Sequence, residues 1–203
     1  MNSIALVGAG GHGKVVADIA AQKGYKKIEF FDDNYPQKQK LGPWPIMGRV
    51  DALKANLVDY NKVIVTIGDN LTRAKIAKEL EGIVGMATLI HPSAIVSDYA
   101  DIHAGTAVMA NAVINPYSTI EENVIVNTSA IVDHDCLIQE FSHISPGAIL
   151  AGNVTIGPNS WIGIGARIIQ GVTLGKGVIV AAGSTVTKSY PGKVMLAGTP
   201  AKI

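Results

Sequence analysis

The stretch NTSAIVDHDCLIQEFSHISPGAILAGNVTIG, residues 127–157, decides how the second half of the chain folds. Its large apolar residues Val132, Ile138, Ile144, Leu150 and Ile156 stand six apart, a period that fits neither an α-helix nor a simple alternating strand. Counted outward, every sixth residue from Val96 to Val186 is Ile, Leu or Val, sixteen positions without an insertion. Two residues before each stands a small or β-branched residue, from Ala94 through Ala130, Cys136 and Ser142 to Ser184. A fixed period of this kind marks a repeat architecture.

Strand alternation accounts for the pattern. In each hexad two inward positions flank one outward residue, and the other three residues turn a corner where Gly, Asn and Asp are frequent, as in AGN (151–153) and GPN (157–159). Three hexads, eighteen residues, close one triangular turn, and stacked turns pair their backbones around a continuous aliphatic column. This resembles the hexapeptide-repeat left-handed parallel β-helix, an all-β domain expected over residues 89–186, with a C-terminal tail at 187–203. Cys136 falls in the small inward slot and reads as a packed, inert thiol rather than a nucleophile.

Composition agrees with extensive burial in regular sheet. The 203 residues are 48% hydrophobic and only 16% charged, yet no run approaches the length of a membrane span, so membrane insertion is not expected. A single cysteine excludes an internal disulfide, and the start MNSIALVGAGG lacks the basic region of a secretory signal, so a cytoplasmic protein is expected. The net charge of +1 is uneven. Residues 141–203 contain Arg167, Lys176, Lys188, Lys193 and Lys202 but no Asp or Glu, giving +5 there and −4 in residues 1–140. Such an end attracts a polyanionic ligand such as coenzyme A, unless the lysines only solubilise. Five scattered cations without interleaved aromatics make a poor nucleic-acid footprint.

The first 88 residues have a different grammar. SIALV (3–7) predicts a strand running into GAGGHG, then an amphipathic helix, KVVADIAAQKG. KIEFF predicts a second strand ending in Asp32 and Asp33, and KVIVTIG (62–68) a third, leading through DN into the helix LTRAKIAKELEG. Strand, glycine turn, helix, strand and acid make an α/β half-Rossmann domain. Gly8, Gly10 and Gly13 fit G-x-G-x-x-G, where backbone N–H groups meet a diphosphate. A dinucleotide fold needs two such halves, so a nucleotide diphosphate fits better than NAD. Residues 34–50, with three prolines and little periodicity, read as a loop.

His134 and His143 interrupt the repeat. His134 lies at a corner beside Asp135, and a histidine with an adjacent carboxylate can serve as general base, although a solvated corner histidine is the plain alternative. His143 is the outward residue of its hexad. Nine residues are half a turn, which puts the two on opposite sides of one chain's prism. They meet only if a neighbouring subunit supplies one, which predicts a homotrimer with shared sites. A zinc site would need more converging ligands than this spacing provides, with His12, His91 and His103 far along the chain, so no metal is expected.

GAGGHGKVVADIA, FFDD, IGDNLTRAKIA, LIHPSAIVS, residues 127–157 and the terminal GTPAKI together resemble the bacterial sugar-nucleotide acetyltransferases, over essentially the whole chain. These include the UDP-4-amino-sugar N-acetyltransferases of bacillosamine synthesis and the sialic-acid O-acetyltransferase-like proteins. The resemblance implies acetyl-CoA as co-substrate, a UDP-linked amino sugar as acceptor, and His134 as base supported by Asp135, where some members carry Glu. It implies a nucleotide-sugar site at Gly10, Gly11, His12, Asp32, Asp33 and Gly68, with Asn70 and Arg73 close by. His143, Ile164 and Ala182 would lie on the acetyl-CoA side. A sialic-acid-type O-acetyltransferase, a GDP-amino-sugar N-acetyltransferase and a non-catalytic nucleotide-sugar-binding trimer remain open at this stage.

Overall fold

β1 (Ser3–Val7) is buried at all five positions because parallel strands flank it on both sides, β2 (Lys27–Phe31) and β5 (Lys62–Val65). The computed structural model describes residues 2–55 and 57–203, which divide into two compact units, one ending at Pro92 and the other running Ser93–Ile203. In the first, five strands lie in the order β3 (Lys40–Leu41), β4 (Trp44–Gly48), β2, β1, β5. The interval read as a loop departs from that expectation. It contains β3 (Lys40–Leu41) and β4 (Trp44–Gly48), an antiparallel pair whose second strand continues the sheet in parallel beside β2. Pro45 is in register with Lys40 and precedes Ile46, the first β4 residue in register with β2. The short helix α2 (Val50–Ala55) follows.

Helix α1 (Gly11–Gln22) connects β1 to β2, and α3 (Asn70–Leu80) follows β5. Chain order therefore departs from β1 in two directions, toward β2 on one side and β5 on the other. A crevice opens at the carboxyl ends of strands where this happens. Gly13 lets helix and strand approach there: a Cβ at that position would lie 2.2 Å from the Gly8 carbonyl oxygen.

The second unit is a parallel β-helix. Each two-residue strand pairs with the strand eighteen residues on, as Ile131 with Ile149 and Val132 with Leu150. Three parallel sheets result. One contains Ile131–Val132, one Leu137–Ile138 and one His143–Ile144. From Val108 to Val186 the inward aliphatics are buried, and so is every small inward residue from Thr106 to Ser184. Full burial of each aliphatic side chain contributes about 1.5–3 kcal/mol, which explains why the register never slips. The corners obey the same period. Residues 105, 111, 117, 123, 129, 135, 141 and onward to 183 all have positive φ. Gly, Asn and Asp tolerate that conformation; Tyr117 (φ 61°) and Phe141 (φ 57°) adopt it against their preference.

Hydroxyls in the small inward slot solve a burial problem. Thr106, Ser118, Ser142 and Ser160 each donate to the carbonyl fifteen residues on, and each accepts the N–H eighteen residues on. A buried polar atom without such partners would be costly. Beyond the repeats, Met195–Gly198 adds in parallel to Ile179–Val180 and turns back into Ala201–Lys202. No helix among the described residues is long and apolar enough to cross a membrane.

Candidate active site

At the carboxyl ends of β1, β2 and β5 lies a cavity of about 400 Å³. Gly10, Gly11, His12, Asp32, Asp33 and Gly68 line it, with Thr66, Ile67, Thr72 and Ile76. The N-terminus of α1 faces it uncapped. Gly10 is the N-cap, no side chain bonds there, and the first turn contains no acid. Its leading N–H groups therefore retain the partial positive charge that suits a phosphate. The N-terminus of α3, by contrast, is closed by Asp69, whose carboxylate accepts the Thr72 N–H at 2.8 Å. A Cβ at Gly10 or Gly11 would meet nothing within 4 Å, so those glycines leave open space rather than permit a fold contact.

Asp32 shapes the glycine turn. One carboxylate oxygen accepts the Ala9 N–H at 2.7 Å, and the other accepts the backbone and side-chain N–H groups of Asn34 at 2.9 and 2.8 Å. Burial alone would raise its pKa; those hydrogen bonds and the nearby Lys38 cation outweigh burial and hold it below the usual carboxylate value. Lys38 donates to the Ala9 carbonyl, bringing a cation beside the turn. Asp33 is exposed and pairs loosely with Arg49 at 3.7 Å.

Arg73 and Asn70 are buried behind the cavity wall. The guanidinium donates to the carbonyls of Ile67 and Gly68 and to Asn70 Oδ1, clamping the loop after β5. Burial lowers the Arg73 pKa to about 10, which leaves it charged at neutral pH. Burial, then the Arg73 charge, lowers His12 to about 4, so its imidazole is neutral at neutral pH and can donate or accept one hydrogen bond. Thr66, buried beneath the turn, reaches the Gly8 carbonyl at 2.7 Å.

In the β-helix, His134 and Asp135 occupy the corner between the sheets of Ile131–Val132 and Leu137–Ile138. Asp135 takes the positive-φ position (φ 58°), which aspartate tolerates, and its Oδ2 lies 2.7 Å from His134 Nδ1. An ionised carboxylate only accepts, so the proton belongs on Nδ1 and Nε2 becomes the basic nitrogen. The Asp135 hydrogen bond, then the Asp133 charge, raises the His134 pKa above its ordinary value. Asp133 is itself set by Asn115 at 2.7 Å and accepts the His134 N–H at 2.8 Å. From inside, Ser118 bonds the Asp133 carbonyl and the Cys136 N–H, fixing the backbone on both sides of the pair. Cys136 points inward, and burial raises its thiol pKa, so it is a poor thiolate nucleophile.

His143 stands on the third sheet, stacked on Trp161 with ring centroids 5.4 Å apart. Asn127 accepts the Thr128 N–H through its oxygen, which turns its amide nitrogen toward His143 Nε2 at 3.0 Å. His143 is thereby held in one orientation, between the Asn127 amide and the Trp161 ring. Ile164 and Ala182 are exposed and follow one another on a single corner, linked by the Gly183 N–H to the Ile164 carbonyl. Within one chain, His134 and His143 thus occupy different sides of the prism.

Several neighbours escaped the sequence reading. Thr66 and Lys38 carry no motif; only the strand order and the intervening loop bring them to the glycine turn. Ser118 was legible, being a hydroxyl in the inward slot one coil before Cys136. Among the described residues, no three His, Cys, Asp or Glu side chains gather as a metal would require.

Comparison with known proteins assigns the class. Residues 3–80 match the PglD N-terminal domain, and residues 153–188 match the bacterial transferase hexapeptide (six repeats). The acetyltransferase domain of PglB from Neisseria gonorrhoeae, solved in complex with acetyl coenzyme A, is 41% identical, over 100% of this chain and 99% of that one, with a TM-score of 0.95. PerB from Caulobacter crescentus, solved with CoA and GDP-perosamine, is 34% identical over 100% and 97%, with a TM-score of 0.93. A Bacillus subtilis UDP-N-acetylbacillosamine N-acetyltransferase is 37% identical over 114 residues, 54% of this chain and 52% of that protein. The match thus spans about half the length of that curated relative. The chain belongs to the PglD-type sugar N-acetyltransferases of the hexapeptide-repeat family.

Proposed function

We propose that this protein transfers an acetyl group from acetyl-CoA to the 4-amino group of a UDP-linked amino-deoxy sugar of the bacillosamine type. The observation that carries the reading is the His134–Asp135 pair, with Nδ1 held by the carboxylate and Nε2 left basic. The uncapped α1 terminus and the open space at Gly10 and Gly11 support binding of the nucleotide diphosphate in the N-terminal cavity. The acid-free, basic residues 141–203, with Ile164, Ala182 and His143, support binding of acetyl-CoA along the β-helix.

The amine attacks the thioester carbon while His134 Nε2 takes its proton, a contribution of roughly 10²–10⁴-fold from a positioned base. Backbone N–H groups stabilise the oxyanion. Collapse of the tetrahedral species forms the amide, expels the CoA thiolate, and returns a proton to it. The buried Cys136 argues against an acyl-enzyme. The acetyl-CoA complex of the gonococcal domain supports the donor, and the Bacillus relative supports the UDP sugar.

The Caulobacter relative favours a second reading, a GDP-linked amino sugar, because its similarity also covers the whole chain. Release of the CoA thiol measured with a panel of UDP-, GDP- and CMP-sugars decides. UDP-4-amino sugars are expected to react at least about tenfold faster than the others, the discrimination a few lost pocket contacts give. Faster reaction of a GDP-amino sugar or of a hydroxyl acceptor overturns the assignment, and no thiol release with any of them leaves a binding trimer.

The assembly in this reading is a homotrimer. Ile95, Val113, Ile131 and Ile149 form an outward apolar row along one sheet, exposed or half-buried. Subunits carrying His134→Ala mixed with subunits carrying His143→Ala should regain part of the activity if each site draws the two histidines from different chains. No recovery after demonstrated subunit exchange places both within one chain.

A further inference from the structure

Each hexad has a corner slot two residues after its inward aliphatic, sixteen in all from Asp98 to Lys188, and Gly152 is the only glycine among them. On its own corner the same slot contains Asp98, Pro116, His134, Gln170 and Lys188, so the backbone there accepts a side chain. Gly152 does not have the positive φ for which glycine is usually kept. Coil spacing gives no reason for it either, unlike Gly163 and Gly175, where a Cβ would strike backbone of the next coil. A Cβ at Gly152 would instead lie 2.4 Å from Cε1, 2.5 Å from Nε2 and 3.0 Å from Nδ1 of His134, one coil away.

We propose that Gly152 is a positioning residue for the acetyl transfer: its missing side chain is the seat of the His134 imidazole. The ring occupies the volume a Cβ would fill, and from that seat Nδ1 reaches Asp135 at 2.7 Å. This rests on the reading of His134 as the base. His134 is exposed and turns on two single bonds, so a methyl group at position 152 displaces the ring rather than the coil. The ring then leaves Asp135, and Nε2 loses both its raised basicity and its aim. Misplacement of a reacting group by about 1 Å costs roughly 10²-fold in rate.

Gly152→Ala tests this. The titration of His134 is followed by NMR on histidine-labelled protein, with the resonance assigned by its absence in His134→Ala. The expected results are a His134 pKa that falls toward its ordinary value, kcat roughly 10- to 100-fold lower, and KM for both substrates within about twofold. In the His134→Ala background, adding Gly152→Ala should change neither residual activity nor Tm. An unchanged titration with wild-type kcat overturns the proposal, as does an equal further loss in the His134→Ala background. If Gly152→Ala alone fails to fold, recovery of folding in the double variant supports the seat, and its absence overturns it. The titration needs no substrate. A fallen pKa in a protein that acetylates no sugar nucleotide would keep the seat and discard the reaction.

Discussion

In the α/β unit, Gly10 and Gly11 stand where a Cβ would meet nothing within 4 Å, whereas in the β-helix a Cβ at Gly152 would meet the imidazole of His134. The first region leaves open space at the ends of strands gathered by the sheet order, where the proposed nucleotide sugar would bind. The second builds its site from departures within a repeat, each departure fitted to another residue of the chain. Empty glycines mark where something enters. A filled one marks where something is already held.

The largest effect expected on this contrast is at the His134 corner, the proposed base. His134→Ala should reduce kcat by roughly 10²-fold or more and leave both KM values nearly unchanged, as measured by thiol release. A drop in substrate binding with kcat retained would mean that the corner binds rather than reacts.

The next test separates the glycines of the α/β unit from one another. Gly11→Val should raise the KM for the sugar nucleotide about tenfold or more, leave that for acetyl-CoA alone, and keep Tm, because its Cβ points into open space. Gly13→Ala should instead destabilise by about 1–3 kcal/mol or more, since its Cβ meets the Gly8 carbonyl at 2.2 Å. Equal behaviour of the two variants in calorimetry and kinetics would erase the distinction between ligand space and packing contact.

A smaller effect belongs to Asp135. A base works when unprotonated, so kcat/KM should rise with pH through the raised pKa of His134. Asp135→Asn preserves the shape and removes the charge, and the acidic limb should move to lower pH by less than about one unit. An unmoved limb would show that Asp133 alone sets the basicity.

The smallest concerns His12. Its imidazole has a pKa of about 4 in the folded chain against an ordinary 6.5, so between those values the unfolded state binds more protons. Stability therefore falls as pH drops through that window. The decline in Tm between pH 6.5 and 4 should be shallower in His12→Asn than in the wild type. Parallel curves would show that the half-buried ring protonates freely in the fold.

The hexad period by itself determined the β-helix, its inward slots and its corners, because each eighteen-residue turn repeats one local solution to burial. It also separated His134 from His143 by half a turn, and the glycine turn announced the helix that follows it, α1. Residues 34–50 escaped, because two short strands with two prolines among them carry no period and gain their order only from β2 beside them. The same holds for Arg73, which reads in sequence as a helix cation and in the fold as a buried clamp on Gly68. Gly152 stood in plain view as a lone glycine in its slot, but only the stacking of coils, which sets residues eighteen apart against each other, showed that the vacancy belongs to His134. Periodicity is written in the chain because neighbours in sequence enforce it. Contacts between turns and between strands were decided by the tertiary structure, because no local preference of the chain records them.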